Sequence, residues 1–118
     1  MSAQPINLAQ KLATFQAYFE PRTVAQFNGH DVMVAKVKGP FTWHSHADTD
    51  DFFLVLSGEL TIRLRDGEVR LRPGELYVVP KGVEHCPCAE VETHVLLIEP
   101  RGTPNTGDAK TAAARVLI

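Results

Sequence analysis

Hydrophobic positions follow two different spacings along the chain, and the change between them falls near residue 20. Before that point, apolar side chains recur every three or four residues, the spacing of one face of an α-helix: Leu8, Leu12, Phe15 and Phe19. The Asn7 side chain can cap the start of such a helix, and Pro21 stops it. The sequence therefore predicts an amphipathic helix over residues 7–19 whose apolar stripe packs on the outside of the structure that follows.

From residue 22 to residue 99 the pattern changes to short β-rich runs that are separated by glycine and proline. Asn28-Gly29 is typical of a type I′ hairpin turn, because both residues accept positive φ angles. Asp66-Gly67 predicts a second turn of this kind, with Arg63 opposite Arg70. Roughly eight to ten strands at spacings of about 8 to 12 residues are typical of an antiparallel sandwich or barrel.

Length and composition limit the fold class and the partners. A chain of 118 residues allows one domain, and 44% hydrophobic with 22% charged residues is ordinary for a globular protein. Twelve Lys and Arg against fourteen Asp and Glu give a net charge of −2, so no basic excess indicates nucleic acid or an anionic membrane. The apolar runs at residues 52–56 and 95–98 are far shorter than the roughly 20 residues of a membrane helix.

The start of the chain and the cysteines favour a cytoplasmic location. The first five residues contain no basic segment followed by an apolar one, which is the pattern of a secretory signal. Cys86 and Cys88 are the two cysteines, and on a strand their Cα atoms are about 6.8 Å apart, near the limit for a disulfide. A Cys-x-Cys metal site is an alternative, but no second cysteine pair completes it.

The histidines carry the clearest chemical signal, since four of the five lie between residues 44 and 94. On a strand, His44 and His46 project from the same face and can bind one ion, although such pairs also occur without a metal. A carboxylate at the start of the next strand could add an oxygen ligand, and His85 begins a further strand. Asp48 and Asp50 are interpreted as solvated turn residues. Two or three imidazoles with one carboxylate indicate a first-row divalent metal.

Two motifs resemble those of the cupin superfamily. The first consists of Gly39, His44, His46, Asp51 and Gly58, and the second of Gly74, Pro80, Gly82 and His85. The chain is similar to small single-domain, conserved-barrel cupins of the mannose-6-phosphate-isomerase-like type. The resemblance implies an all-β fold, an antiparallel double-stranded β-helix or jelly-roll barrel with a short N-terminal α-helix. One domain would span residues 1–118, with the helix at 7–19, the barrel at 22–99 and a C-terminal extension at 101–118.

The resemblance also implies a metal inside the barrel. Its ligands would be His44, His46, Asp51 and His85, and the candidate ions are Zn, Mn, Fe and Ni. Glutamate is usual in the family where this chain has Asp51. Because aspartate is one methylene shorter, we expect either a longer contact with the metal or a strand that lies closer to it.

The function implied is that of a divalent-metal-dependent enzyme acting on a small polar, sugar-like or carboxylate-like molecule. The metal would act as a Lewis acid in an isomerase, or as Fe(II) it would activate dioxygen in a dioxygenase. His94 and Tyr77 are the candidates for a proton-transfer group. The alternative is a non-catalytic module that binds a small ligand with weak metal binding or none.

The expected partners are a small-molecule ligand and a second copy of the chain, with neither nucleic acid nor a membrane among them. Phe41 and Trp43 lie between the candidate ligands and the preceding strand and are predicted to point outward. Together with the apolar residues 116–118, they predict a homodimer.

Overall fold

The computed structural model describes residues 3–118, which consist largely of β-strands; residues 1 and 2 of the predicted domain lie outside the described residues. The elements are α1 (Leu8–Leu12), β1 (Arg22–Phe27), β2 (His30–Pro40), β3 (Asp51–Ser57), β4 (Leu60–Leu64), β5 (Gly67–Leu71), β6 (Leu76–Val79), β7 (His85–Pro100) and β8 (Val116–Leu117). The predicted all-β class with a short N-terminal helix is confirmed. No described helix has the length and apolar character to cross a membrane, and the cytoplasmic location stays a prediction.

Strand β7 organises the barrel because it pairs with three other strands. Residues 88–100 of β7 pair with β2 except at an irregularity over residues 90–92, residues 85–88 pair with β4, and residues 94–98 pair with β3. The order β5-β4-β7-β2-β1-β8 and the branch β7-β3-β6 therefore share β7. All of these pairs are antiparallel except β1 with β8. The predicted jelly-roll arrangement is confirmed.

Two apolar clusters hold the fold together. The interior cluster fills the barrel and includes Met33, Val55, Leu60, Ile62 and Val95, each at most 2% exposed. The outer cluster lies between the N-terminal segment and the sheet and consists of Leu12, Phe15, Val24 and Val34, with Leu8, Val32, Leu56 and Ile118 packed against it. The predicted packing of the N-terminal apolar stripe on the outside of the barrel is confirmed for Leu8, Leu12 and Phe15.

The prediction of a helix over residues 7–19 is wrong in its length, because α1 ends at Leu12. Asn7 caps the helix as expected, since its Oδ1 accepts a hydrogen bond from the backbone N of Gln10 at 2.9 Å. Beyond the helix the chain is irregular, and Phe19 turns into the barrel interior instead of continuing the outer stripe. The apolar spacing therefore marked the packing face correctly but not the end of the helix.

Lys36 fixes the segment beyond the helix in a path that is not helical. In a longer helix the N–H of Phe19 would donate to the carbonyl of Phe15. Instead, the Lys36 Nζ donates to the Phe15 carbonyl at 2.7 Å, and the Lys36 carbonyl accepts from the Phe19 N–H at 2.8 Å. One buried lysine of β2 thus replaces a helical hydrogen bond with two tertiary ones.

The two hairpins differ in how well their sequences predicted them. Asn28 and Gly29 have φ angles of 48° and 76°, as a type I′ turn requires. In the second hairpin the predicted register is wrong, because Arg63 pairs with Glu68 and not with Arg70. The observed register places opposite charges across the strands in place of like charges, and a shift of two residues leaves every side chain on its predicted face.

The C-terminal extension docks on the barrel. Strand β8 lies parallel to β1, and the N–H of Ile118 donates to the carbonyl of Thr23 at 2.9 Å. Arg115 reaches the buried Asp31, with Nη1 donating to Oδ2 at 2.7 Å.

We predict that replacing Lys36 with Met destabilises the protein by about 1–3 kcal/mol, because the Phe15 carbonyl loses its hydrogen-bond donor. Urea unfolding followed by circular dichroism measures this change. Lys38→Met is the matched control, since Lys38 lies on the same strand with an exposed side chain. Equal destabilisation by both variants would contradict the role assigned to Lys36.

Candidate metal centre

Four buried side chains converge from three parts of the chain. His44 and His46 come from the segment between β2 and β3, Asp51 is the first residue of β3, and His85 is the first residue of β7. Their exposed fractions are 8%, 5%, 3% and 1%, in that order. The structure therefore brings together all four residues that the sequence motifs singled out.

The backbone around His44 and His46 does not form the strand that the sequence predicts. His44 forms one isolated bridge with His85, with backbone N–H···O distances of 3.0 and 2.9 Å, and His46 belongs to no strand. The carbonyl of His46 accepts from the Gly82 N–H at 2.8 Å, which fixes this segment to the turn before β7. Asp50 is exposed, and its Oδ1 accepts a hydrogen bond from the backbone N of Lys81 at 2.9 Å.

The imidazole nitrogens of the three histidines surround one oxygen of Asp51. The distances from Asp51 Oδ2 to Nε2 are 2.8 Å for His85, 3.2 Å for His46 and 3.9 Å for His44. One donor atom from each of the four residues lies within 4.8 Å of all the others. Two ligands at about 2.1 Å from one ion are at most about 4.2 Å apart, so small side-chain movements bring this set onto a metal.

The hydrogen bonds made by Nδ1 of His44 and of His85 explain why Nε2 of each ring faces Asp51. Nδ1 of His44 lies 2.9 Å from the carbonyl oxygen of Thr42, and Nδ1 of His85 lies 2.9 Å from that of Val83. Because a carbonyl only accepts, each Nδ1 carries a proton, and in the neutral ring Nε2 is a free lone pair. His46 Nε2 is buried and has no hydrogen-bond partner.

This donor set fits a cation. Lone pairs on neutral imidazoles and a carboxylate oxygen repel one another at these distances unless a metal ion or added protons lie between them. Three nitrogens and one oxygen, with no thiolate, suit Zn, Mn, Fe or Ni. Within the described part of the chain, the group that could hold a metal contains no cysteine, and Cys86 and Cys88 form no disulfide.

The local electrostatics favour a neutral His44 and an ionised Asp51. Burial lowers the pKa of His44 to about 4, although the Thr42 carbonyl opposes this shift. Burial alone would raise the pKa of Asp51, but its close contacts with His46 and His85, in which a proton lies between nitrogen and oxygen when no metal does, outweigh burial and lower that pKa to about 2. At neutral pH, His44 is therefore neutral and Asp51 is ionised, as metal coordination requires.

A small cavity lies beside the four residues. Its volume is about 50 Å³, which is room for a few water molecules at roughly 10–15 Å³ each. The apolar lining is Phe19, Pro21, Ala35, Val37, Phe41, Phe53, Leu60, Pro87, Val95 and Leu97. The polar lining is His44, Asp51, Glu99 and Asn105.

Glu99 is a polar residue of this cavity that the sequence reasoning missed. Its side chain is 3% exposed, and its Oε2 has no hydrogen-bond partner. Burial raises the pKa of Glu99 to about 8, and the nearby Asp51 carboxylate adds to this shift. The signal was present in the alternation of β7, since Val95, Leu97 and Glu99 occupy the same inward face.

Arg115 connects the C-terminal extension to Glu99. Its Nη2 lies 3.5 Å from Glu99 Oε2, while its Nη1 contacts Asp31, the residue that pairs with Glu99 across β2 and β7. The extension therefore supplies a positive charge to the buried carboxyl groups of Asp31 and Glu99.

His94 and Tyr77, the two predicted candidates for proton transfer, lie away from the four-residue cluster. His94 has its Nε2 2.8 Å from Glu92 Oε2 and borders a groove on the outside of the barrel with Leu8 and Ser57. Tyr77 packs against the interior cluster. Neither residue lines the cavity beside the four-residue cluster.

The expectation that Phe41 points outward is wrong. Its ring stacks on Phe19 with centroids 4.8 Å apart, and both rings line the cavity. Trp43 is half-buried beneath the guanidinium of Arg65, which lies 3.8 Å from the ring centroid. Phe41 and Trp43 therefore do not support the predicted homodimer, which stays a prediction.

Comparison with known proteins gives one family and several relatives. Residues 31–100 match the cupin domain family. The chain is 36% identical over 78 residues to an uncharacterised protein, YdbB, of Bacillus subtilis (strain 168), which covers 65% of this chain and 69% of YdbB. It is 34% identical over 86 residues to 3-hydroxyanthranilate 3,4-dioxygenase of Jannaschia sp. (strain CCS1), which covers 67% of this chain and 48% of the dioxygenase.

A solved structure supports the same relationship. A cupin-2 domain containing protein from Shewanella frigidimarina NCIMB 400 superposes with a TM-score of 0.80 at 46% sequence identity. The superposition covers 81% of this chain and 94% of that protein.

We predict that His44→Gln becomes more stable relative to the wild type as the pH of the metal-free proteins falls from 6.5 to 4. In this range the unfolded chain protonates His44 at its ordinary pKa of 6.5, whereas the folded protein does so only near 4. At this residue the unfolded state therefore binds more protons, which lowers the free energy of unfolding of the wild type as the pH falls. Glu99 acts in the opposite direction, because its pKa is raised to about 8 in the folded protein, so the difference between wild type and variant isolates the His44 contribution. Urea unfolding of the chelator-treated wild type, His44→Gln and the control His30→Gln, at an exposed histidine, measures this difference at several pH values. A difference between wild type and His44→Gln that does not change with pH would contradict this cause.

We also predict that His85→Ala weakens binding of a divalent transition metal by at least about 100-fold. Loss of a residue that only supports a ligand costs about 10–100-fold, and loss of a ligand should cost no less. Calorimetric titration with Zn²⁺ and elemental analysis measure the effect. His94→Ala is the control and should bind metal as the wild type does. Full metal occupancy in His85→Ala would show that the assignment is wrong.

Proposed function

This chain belongs to the cupin domain family, and we propose that it is a metal-dependent oxygenase whose metal is held by His44, His46, Asp51 and His85. The observation that carries the proposal is the convergence of three buried imidazole nitrogens on one carboxylate oxygen. The 34% identity to 3-hydroxyanthranilate 3,4-dioxygenase supports an oxygenase over an isomerase. The chain spans about half the length of that dioxygenase.

Iron(II) is the metal that we propose among Zn, Mn, Fe and Ni. Bound with open coordination positions, it would supply the activation of dioxygen. The protein's own contribution is to hold Nε2 of His44 and of His85 ready for coordination through the Nδ1 contacts with backbone carbonyls. The apolar side chains around the cluster exclude bulk water from the same place.

The cavity favours a neutral ring that carries hydroxyl groups over a sugar. Most of its lining is apolar, and beyond the cluster it offers the polar side chains of Glu99 and Asn105. The many hydroxyl groups of a sugar would lose their water partners without replacement, which costs free energy for each unpaired group. No lysine or arginine is among the described residues that line the cavity, so a carboxylate substituent would have the metal as its positive partner.

Entry of a ring-sized ligand requires side chains at the cavity to move, because a volume of about 50 Å³ holds a few water molecules. Phe19 and Asn105 are the side chains placed to do so. Both belong to irregular segments outside the strands, and the Asn105 side chain donates a hydrogen bond to the Phe19 carbonyl at 3.2 Å.

A non-catalytic module that binds a small ligand is the second candidate. The small volume of the cavity favours it, because the cavity holds a few water molecules and no ring-sized substrate without movement of its side chains. The isomerase implied by a mannose-6-phosphate-isomerase-like resemblance is less well supported, because its substrates are polar sugars.

Oxygen uptake by the iron-loaded protein tests the proposal. We expect protein loaded anaerobically with Fe(II) to consume oxygen with catechol as the probe, and less rapidly with the carboxylated 3-hydroxyanthranilate. Zinc-loaded protein is the control for oxidation that does not depend on iron. If the iron-loaded protein binds catechol but consumes oxygen no faster than free Fe(II) does, the oxygenase proposal is wrong and the non-catalytic binding module is the better description.

We predict that Glu99→Leu keeps one metal per chain but lowers kcat/KM for the probe about 10-fold. The Glu99 carboxyl group is buried at the cavity, where it can hydrogen-bond to a ligand oxygen, and losing one such bond costs about 1.4 kcal/mol. Glu90→Leu is the control, since Glu90 lies on the same strand with an exposed side chain. An unchanged kcat/KM in Glu99→Leu would rule out a hydrogen bond between Glu99 and the ligand.

A further inference from the structure

The four-residue cluster lies between two spaces of different character. On one side is the interior cavity, whose lining includes His44 and Asp51. On the other side is a surface groove between residues 46–49 and residues 100–107, which we call the His46 groove. His46 lines this groove and is not among the described residues that line the interior cavity. The side chain of His46 therefore separates the groove from the other three residues of the cluster.

The His46 groove is larger and more polar than the interior cavity. Its volume is about 370 Å³, against about 50 Å³ for the cavity. Two exposed charged residues line it, Asp48 and Arg101, together with Thr49 and Thr103. Its remaining lining is Ala47, Pro100, Gly102, Pro104 and Gly107.

These dimensions decide from which side a hydrated metal ion can reach the cluster. A divalent ion in water carries about six water molecules, which need roughly 60–90 Å³ at 10–15 Å³ each. The His46 groove has room for such an ion, and the interior cavity does not. A cation that loses its water among apolar side chains gains no replacement, whereas the groove offers the carboxylate of Asp48 close in sequence to His46.

We propose that the metal ion enters and leaves through the His46 groove, while the interior cavity serves the organic ligand. The proposal rests on the assignment of the four-residue cluster as the metal site and not on oxygenase chemistry. Asp48 attracts the incoming cation at the groove, and Arg101 repels it. His46 is then the first of the four metal ligands that the ion meets.

A close contact between the two walls sets the width of the groove. Gly107 has a φ of 78°, and a Cβ atom there would collide with the carbonyl oxygen of Ser45. Ser45 is held in place, because the residues on either side of it are hydrogen-bonded through their backbones to the start of β7 and to the turn before it. A methyl group at position 107 should therefore push the extension outward and widen the groove.

The rate of metal loading tests the proposal on the full chain. Trp43 is the single tryptophan and is adjacent to His44, so quenching of its fluorescence by Ni²⁺ follows binding in a stopped-flow experiment. We expect Asp48→Asn to slow loading and Arg101→Gln to accelerate it, each by about 5-fold, as one unit charge about 8 Å from a divalent ion in water would do. Both effects should shrink at about 1 M salt, where the Debye length is about 3 Å.

The controls for charge are Glu90→Gln and Lys38→Gln, which remove exposed charges of the same signs from residues that do not line the groove. Both variants should load as the wild type does. Circular dichroism checks that every variant is folded.

The variant Gly107→Ala tests the wall of the groove. It should accelerate Ni²⁺ loading and release to a chelator by the same factor, about 10-fold, so that the dissociation constant stays within about 3-fold of the wild type. Gly74→Ala is the matched control, since Gly74 has a similar φ of 85° but no atom within 4 Å of an added Cβ. It should exchange metal as the wild type does.

A wild-type protein that binds Ni²⁺ at a rate none of the groove variants changes overturns the proposed passage and leaves the metal site standing. Rate changes of the same sign in Asp48→Asn and Arg101→Gln overturn it as well. Faster release without faster loading in Gly107→Ala also contradicts the passage, because it means that the metal ligands have been weakened. A wild-type protein that binds no Ni²⁺ contradicts the metal site itself, and the passage with it.

Discussion

The contact between Asp51 and three histidines is the constraint on which the rest of the site depends. A buried carboxylate is costly unless positive charge or hydrogen-bond donors compensate it. Here its Oδ2 lies 2.8 Å from His85 Nε2 and 3.2 Å from His46 Nε2, and all of these side chains are buried. The barrel therefore encloses a negative charge among nitrogen lone pairs, an arrangement that a divalent cation stabilises.

The fold holds this arrangement through the backbone. The bridge between His44 and His85 joins the segment after β2 to the start of β7, and the contact from Gly82 to His46 joins the same segment to the preceding turn. The two Nδ1 contacts with carbonyl oxygens then set the orientation of the rings. Because β7 also pairs with β2, β3 and β4, the strand that begins with His85 is the one that the whole barrel fixes most firmly.

The sequence predicted the parts of the molecule that local patterns control. The spacing of His44, His46, Asp51 and His85 within glycine-framed motifs identified the cluster, and the Asn28-Gly29 pair identified its turn. The path of residues 15–19 was not predictable from local patterns, because it depends on Lys36, which is distant in sequence and takes the backbone groups that a longer helix would use. Arg115 was missed for the same reason, since its contacts with Asp31 and Glu99 join residues 84 and 16 positions apart.

Aspartate at position 51 is consistent with this geometry, although the shorter side chain predicted a longer contact or a closer strand. Its oxygen already reaches the three nitrogens from the first residue of β3. One carboxylate and three neutral imidazoles around a divalent cation leave one net positive charge among apolar side chains. Glu99, whose pKa the Asp51 carboxylate helps to raise when no cation is bound, is the nearest group that can balance that charge. The charge of the four-residue cluster and the protonation state of Glu99 therefore depend on each other. The inward face of β7 thus belongs to the site along its length, from His85 to Glu99.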